Sequence, residues 1–137
     1  MSSIEKFNQL LRHELTIVQV YTSVLKTAPA LACFNQLVDS LHCHQARADL
    51  IAGEIRQLKG RPGWLTEAPR LDLSVGPVEQ EVLYILAEHE DATSSSYNSL
   101  LYDSDFVVQL LAKRLHSKQL ATKDLVAAYS QEARKVA

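Results

Sequence analysis

Apolar residues recur three and four positions apart along almost all of this 137-residue chain. That spacing fits the 3.6-residue turn of an α-helix and excludes the two-residue repeat of a strand. Four segments carry it. Residues 3–26 present Phe7, Leu11, Glu14, Ile17, Tyr21 and Leu25 on one face, and residues 30–59 present Phe34, Leu37, Leu41, His44, Ala48, Ile51, Ile55 and Leu58. Residues 77–102 present Val82/Leu83, Leu86, Glu90, Thr93, Tyr97 and Leu100/Leu101, and residues 104–134 present Val107, Leu111, Leu115, Thr122, Leu125 and Tyr129. Each stripe needs a partner to bury it, so an all-α four-helix bundle forming one domain is expected over 1–137.

Punctuation between the stripes sets the topology. Pro29 breaks the first helix and suits the first turn of the second. Gly60 is placed to stop the second, with Pro62 beyond it. Pro77, Glu79 and Glu81 suit a helix start, and in "YDSD" Ser104 or Asp105 can cap the fourth helix. The first and third connections are short, which makes helices one and two antiparallel, and three and four likewise. The middle one, "GRPGWLTEAPRLDLSVG" at 60–76, holds three of the four glycines and two of the four prolines, marking it as a connection. Its Trp64, Leu65, Leu71 and Leu73 suggest that it lies packed on the bundle. Its 17 residues can cover about 55 Å, against about 39 Å for a 26-residue helix. It can therefore run the length of the bundle and start helix three parallel to helix two, the long crossover between helices 2 and 3 of a ferritin-like arrangement.

Composition narrows the function classes. A formal net charge of −2 gives no electrostatic case for nucleic acid or an anionic membrane. No apolar run approaches the eighteen or so residues of a membrane span, and "MSSIEKFNQLL" lacks the basic start and apolar core of a secretory signal. Cys33 and Cys43 stand ten residues apart, about 15 Å along one helix, too far to bridge. Free thiols suit a reducing compartment, so a cytoplasmic protein is expected.

The apolar stripes are interrupted by charge and imidazole at one level. Helix one centres near Glu14, helix two near His44 and helix three near Glu90, while helix four centres near Gln119. Buried carboxylates must be paired, hydrogen-bonded or metal-bound. In ferritin-like carboxylate proteins this layer holds a dinuclear metal site, with a Glu from each of two helices and a Glu-x-x-His pair from each of the others.

Three stretches carry a resemblance. "FNQLLRHELTIVQVYTSVL" looks like the first helix of an uncharacterised bacterial family of small ferritin-like four-helix proteins. "HQARADLIAGEIRQLKGRP" resembles its second helix and following turn, and "EHEDATSSSYNSLL" its third. The resemblance implies that Glu14, His44 and Glu90 fall on metal-facing positions. The departures matter equally. Where a second ligand would be expected beside His44, the chain has Arg47 and Leu41, and "LLAKRLHSKQLATKDL" in helix four contains no Glu-x-x-His. His116 falls to one side of the helix-four stripe, with Arg114 and Lys118 nearer the interior.

Two functional readings follow. In the first, Glu14, His44 and Glu90 bind iron, manganese or zinc, with water or a helix-four residue completing the site. In the second, the site has degenerated, and Arg47 with Arg114 or Lys118 replaces the metal's charge. The second is preferred, giving a ferritin-like bundle with a reduced or degenerate central site. The alternative class is a metal-free structural or interaction bundle, forming a homo-oligomer such as a dimer, whose polar layer fixes helix register.

Other motifs read as structure. The residues of "HCH", 42–44, point about 100° apart on a helix and cannot chelate one ion. Asp39 and His42 share a face with Asn35, Gln45 and Asp49, which reads as solvent. His13 and His89 are expected at the rim of the layer and Cys43 in a semi-buried structural position. Tyr21 and Tyr97 are expected in the core with a hydroxyl reaching a carboxylate. "SSSY", 94–97, could seat another subunit.

Overall fold

The computed structural model describes residues 1–64 and 78–136, and among these it contains four α-helices and no strand. They are α1 (Ser3–Thr27), α2 (Phe34–Gln57), α3 (Val78–Asn98) and α4 (Phe106–Val136). The all-α expectation holds. No described helix is long and apolar enough to cross a membrane.

Local chemistry sets the ends. Ser2 caps α1, its side chain accepting from the Glu5 N–H at 3.2 Å, with Glu5 in the first turn and Lys26 in the last. The second helix starts later than Ala30. Pro29 and Ala30 form a turn, Leu31 and Cys33 are buried beneath it, and α2 begins only after Cys33. The two chain reversals absorb Pro29, so it never enters the helix.

At the far end of α2 the left-handed residue is Lys59, at φ 65°, and not Gly60. The Gly60 N–H reaches back to the Ile55 carbonyl at 2.9 Å, closing the helix in a Schellman-like turn. Gly60 is needed for a different reason, since a Cβ there would meet Ile4 Cγ2 at 2.8 Å. Helix α3 stops at Asn98, and residues 99–102 turn towards α4. Asp105 caps α4, accepting from Val107 N at 2.9 Å and Val108 N at 3.4 Å. The start of α1 is tied to this corner by Lys6, which donates to Asp103 at 2.8 Å, and by Ser3, which donates to Asp105.

Helices α1 and α2 pack along each other, as do α3 and α4, and α1 also packs on α3. Among the described residues α2 and α3 have no close backbone approach. Two apolar clusters fill the interior. One joins Phe7, Leu10 and Leu11 of α1 to Ile51 and Ile55 of α2, Tyr97 of α3, and Val108 and Leu115 of α4. The other joins Ile17, Val20 and Val24 of α1 to Leu31, Leu37, Val82, Leu83, Leu86 and Val126. The clusters therefore place the start of α1 with the end of α2, the end of α3 and the start of α4. Both short-looped pairs run antiparallel, as expected.

Two expectations need correction. Trp64 is 68% exposed and does not pack on the bundle, while Leu65, Leu71, Leu73 and Pro77 lie outside the described residues. The α4 stripe keeps Leu111, Leu115 and Thr122 buried as expected, but its inner face is centred further towards Val108, Ala112 and Gln119. Val108, Ala112, Leu115, Gln119, Thr122 and Val126 face inward, whereas Val107, Arg114 and Lys118 are exposed. The true inner face carries an alanine, an amide and a hydroxyl, so counting large apolar residues pulled the predicted face towards Val107.

Candidate functional site

Between the two apolar clusters lies a polar layer, and the spacing of each helix explains it. On α1, Glu14 stands three residues from Leu11 and from Ile17, so it shares their inward face. On α2, His44 and Arg47 stand three apart and project to one side. On α3, Glu90 continues the line from Leu86 to Thr93 and Tyr97. On α4, Gln119 and Thr122 continue the line from Leu115 to Val126. Glu14, His44, Glu90 and Gln119 are completely buried, and Arg47 and Thr122 nearly so.

The three residues singled out from sequence meet directly. His44 lies between the two carboxylates, with Nδ1 2.9 Å from Glu14 Oε1 and Nε2 2.5 Å from Glu90 Oε1. Arg47 donates from Nε to the other Glu14 oxygen at 2.8 Å. Its Nη2 lies 3.0 Å from His44 Nδ1 and 3.3 Å from the Thr122 hydroxyl. Glu90 Oε1 also accepts from the Tyr21 hydroxyl at 2.8 Å, and Glu90 Oε2 accepts from Gln119 Nε2 at 3.1 Å. The same amide nitrogen donates to the Glu90 backbone carbonyl at 3.0 Å, and Thr122 donates to the Gln119 carbonyl at 2.8 Å. All four carboxylate oxygens thus have protein donors.

Charge explains the role of His44. Burial alone pulls its pKa down. The hydrogen bonds to Glu14 and Glu90, together with their charges, outweigh burial and hold it above 6.5. When protonated, His44 can donate from both nitrogens. Two carboxylates, one guanidinium and one imidazolium then sum to zero, the condition under which a buried ionic group is least costly. Tyr21 is held as a neutral donor, its pKa raised well above 10.0 by burial and then by the charge and hydrogen bond of Glu90.

Arg47 occupies the position where a second ligand would be expected after His44. The cation from α4 does not exist, since Arg114 and Lys118 face solvent and neutral Gln119 and Thr122 take their place. The signal for Gln119 was its position at the midpoint of the fourth helix. Tyr97 is fully buried near Glu14 and Arg47, which affect its ionisation, yet among the described residues its hydroxyl has no hydrogen-bond partner.

The donor set suits a mononuclear or dinuclear ion in type but not in arrangement. A metal held at about 2.0–2.2 Å needs donors that converge on one point. Here the imidazole ring separates the two carboxylates, both ring nitrogens face carboxylate oxygens, and Arg47 lies against Glu14. Among the described residues no group of three His, Cys, Asp or Glu side chains could hold a metal ion.

The remaining motifs are structural or solvated. His42, Asp39 and Cys43 are exposed, so Cys43 is not the semi-buried residue expected, while Cys33 is the buried thiol. His13 and His89 are half-buried at the rim, and burial lowers both pKa values. In the "SSSY" stretch Ser94 and Tyr97 are buried, while Ser95 is exposed and Ser96 half-buried. Ser94 Oγ lies 3.3 Å from His116 Nε2, and the Tyr97 and His116 rings stack. No protein-family model and no curated protein matches the chain.

Proposed function

We propose that this chain is a ferritin-like bundle whose central metal layer is degenerate, leaving a non-catalytic structural or interaction module in which protein cations take the metal's place. The carrying observation is the Arg47 guanidinium, 2.8 Å from a Glu14 carboxylate that also engages His44. A divalent ion there would face a fixed positive charge, and the oxygens it needs already have donors. The ferritin-like crossover at 60–76 is part of the proposal. It is supported by the end of α2 lying beside Ile4, while Val82 near the start of α3 shares a cluster with Val24 and Leu31. The resemblance to small bacterial ferritin-like proteins supports the same reading.

In this reading the layer specifies helix register. A slide of one helix by a turn, or a rotation by one residue, would strand a charge in the apolar clusters, at a cost of several kcal/mol. Metal analysis of protein purified without chelator tests the proposal. Only traces of iron, manganese and zinc are expected, with no change in Tm when these metals are added. A stoichiometric metal, lost in Glu14→Ala and His44→Ala, would overturn it in favour of a metal-binding bundle.

A further inference from the structure

The start of α4 exposes an apolar surface that nothing among the described residues covers. Phe106 is 69% exposed, Leu110 57% and Val107 45%, and Tyr102, 84% exposed, is held alongside by Lys113, whose Nζ lies 5.4 Å from its ring centroid. Phe106 and Leu110 are four apart and share a face, with Leu110 near the middle of the outward arc of the helix. Together the four side chains offer on the order of 500 Å² of apolar surface. That lies at the upper end of the largest patch on an ordinary monomer, about 300–600 Å². It also approaches the apolar share of one side of a standard interface, about 65% of about 800 Å².

Charge along the same helix selects the occupant. Lys113, Arg114 and Lys118 lie exposed along it, while at its start Asp103 is already paired with Lys6 and Asp105 caps the helix. A parallel second copy would set these cations against their own counterparts, whereas a reversed one sets them over the exposed aromatic rings of Phe106 and Tyr102. The geometry points to a two-fold dimer in which α4 of one copy lies antiparallel on α4 of a second copy, with Leu110 at the axis. In that arrangement Leu110 meets Leu110, Phe106 meets Arg114 of the second copy, and Lys118 approaches its Tyr102. A two-fold contact of this kind uses one patch twice and closes without leaving a free edge. The inference stands on exposure and charge at the surface and is independent of whether the polar layer binds metal.

Light scattering coupled to size-exclusion chromatography tests it on the full chain. Wild-type protein is expected as a dimer at micromolar concentration, and Leu110→Glu as a folded monomer with unchanged circular dichroism and at least tenfold weaker association. In a Cys43→Ser background, Leu110→Cys is expected to form an intermolecular disulfide rapidly under mild oxidation. Asp124→Cys, exposed on the same helix but about 21 Å along it from the axis, is expected to stay monomeric on reducing-free gels. A monomeric wild type would overturn the inference, whether the patch then serves another partner or none. So would a dimer indifferent to Leu110→Glu, or equal cross-linking at 110 and 124.

Discussion

The two apolar clusters and the layer between them are built from the same four helices, yet they tolerate error differently. In the clusters each side chain contributes by contact, and losing one leaves a cavity that its neighbours partly fill. In the layer each group is needed because another is charged. Glu14 neutralises Arg47 and His44, His44 spans Glu14 and Glu90, and Glu90 uses Tyr21 and Gln119 as donors. Removal from a cluster is a local loss, whereas removal from the layer strands a charge in a medium that solvates it poorly.

The largest effect is therefore expected from Glu14→Ala, which leaves Arg47 buried without its carboxylate and should cost about 3–5 kcal/mol in urea unfolding. Ile51→Ala, in the neighbouring cluster, can approach that figure at about 2–5 kcal/mol, so size alone does not separate the two regions. Rescue does. Adding Arg47→Met to Glu14→Leu should recover most of the loss, because both charges leave together. A second truncation beside Ile51→Ala should make matters worse. If the double layer variant is no more stable than Glu14→Ala, the layer does not work as a neutralised unit.

Protonation separates the regions next. His44 is held above 6.5 in the folded state, so the stability it contributes is fully present below 6.5 and is lost as the pH rises through its folded value. His13, His89 and His116 act with the opposite sign. Burial holds them below 6.5, so stability is lost as the pH falls from 6.5 through their folded values. Stability should peak near pH 6.5, and histidine ring NMR should show one imidazole titrating above that value and three below it. A His44 resonance titrating with the low group would mean that the layer holds a neutral ring and a net negative charge.

These contrasts also show how far the sequence could be read. Glu14, His44 and Glu90 stood out because each interrupts a long apolar stripe at mid-helix, and a charged residue on such a face has few ways to exist. Arg47 was visible as the residue occupying a ligand's place. Helix α4 is harder, because its inward face carries Ala112 and Gln119, which a count of large apolar residues does not register, while Phe106, Val107 and Leu110 point outward. An exposed apolar face looks like core in the sequence. The start of α2 was misplaced for a different reason. Pro29 fits the first turn of a helix but also a chain reversal, and only the burial of Leu31 and Cys33 decides between them.

A smaller effect tests the apolar end beside the layer. Gly60→Ala should cost on the order of 1 kcal/mol, because its new methyl group must displace Ile4. The loss should shrink when Ile4 is shortened to Ala, as expected for a steric contact. A cost unchanged by Ile4 would point to the backbone of the turn.

The sharpest test sets two tyrosines side by side, and one of them should show the smallest effect of all. Tyr21 and Tyr97 are both fully buried beside the layer, one in each cluster, and both pKa values are raised by burial first and a nearby carboxylate second. They differ in one bond. The Tyr21 hydroxyl donates to Glu90 at 2.8 Å, whereas the Tyr97 hydroxyl has no partner among the described residues. Tyr21→Phe should then cost about 1.5–3 kcal/mol, the range for a hydrogen bond to a charged group. Tyr97→Phe should change stability by no more than about 0.5 kcal/mol, or raise it slightly, since it removes a buried polar atom that makes no bond. Equal costs at the two positions would mean that in solution Tyr97 turns its hydroxyl onto Glu14. The layer would then reach into both clusters through a tyrosine, and the sharp boundary between a network that fails as a unit and cores that fail locally would hold on neither side.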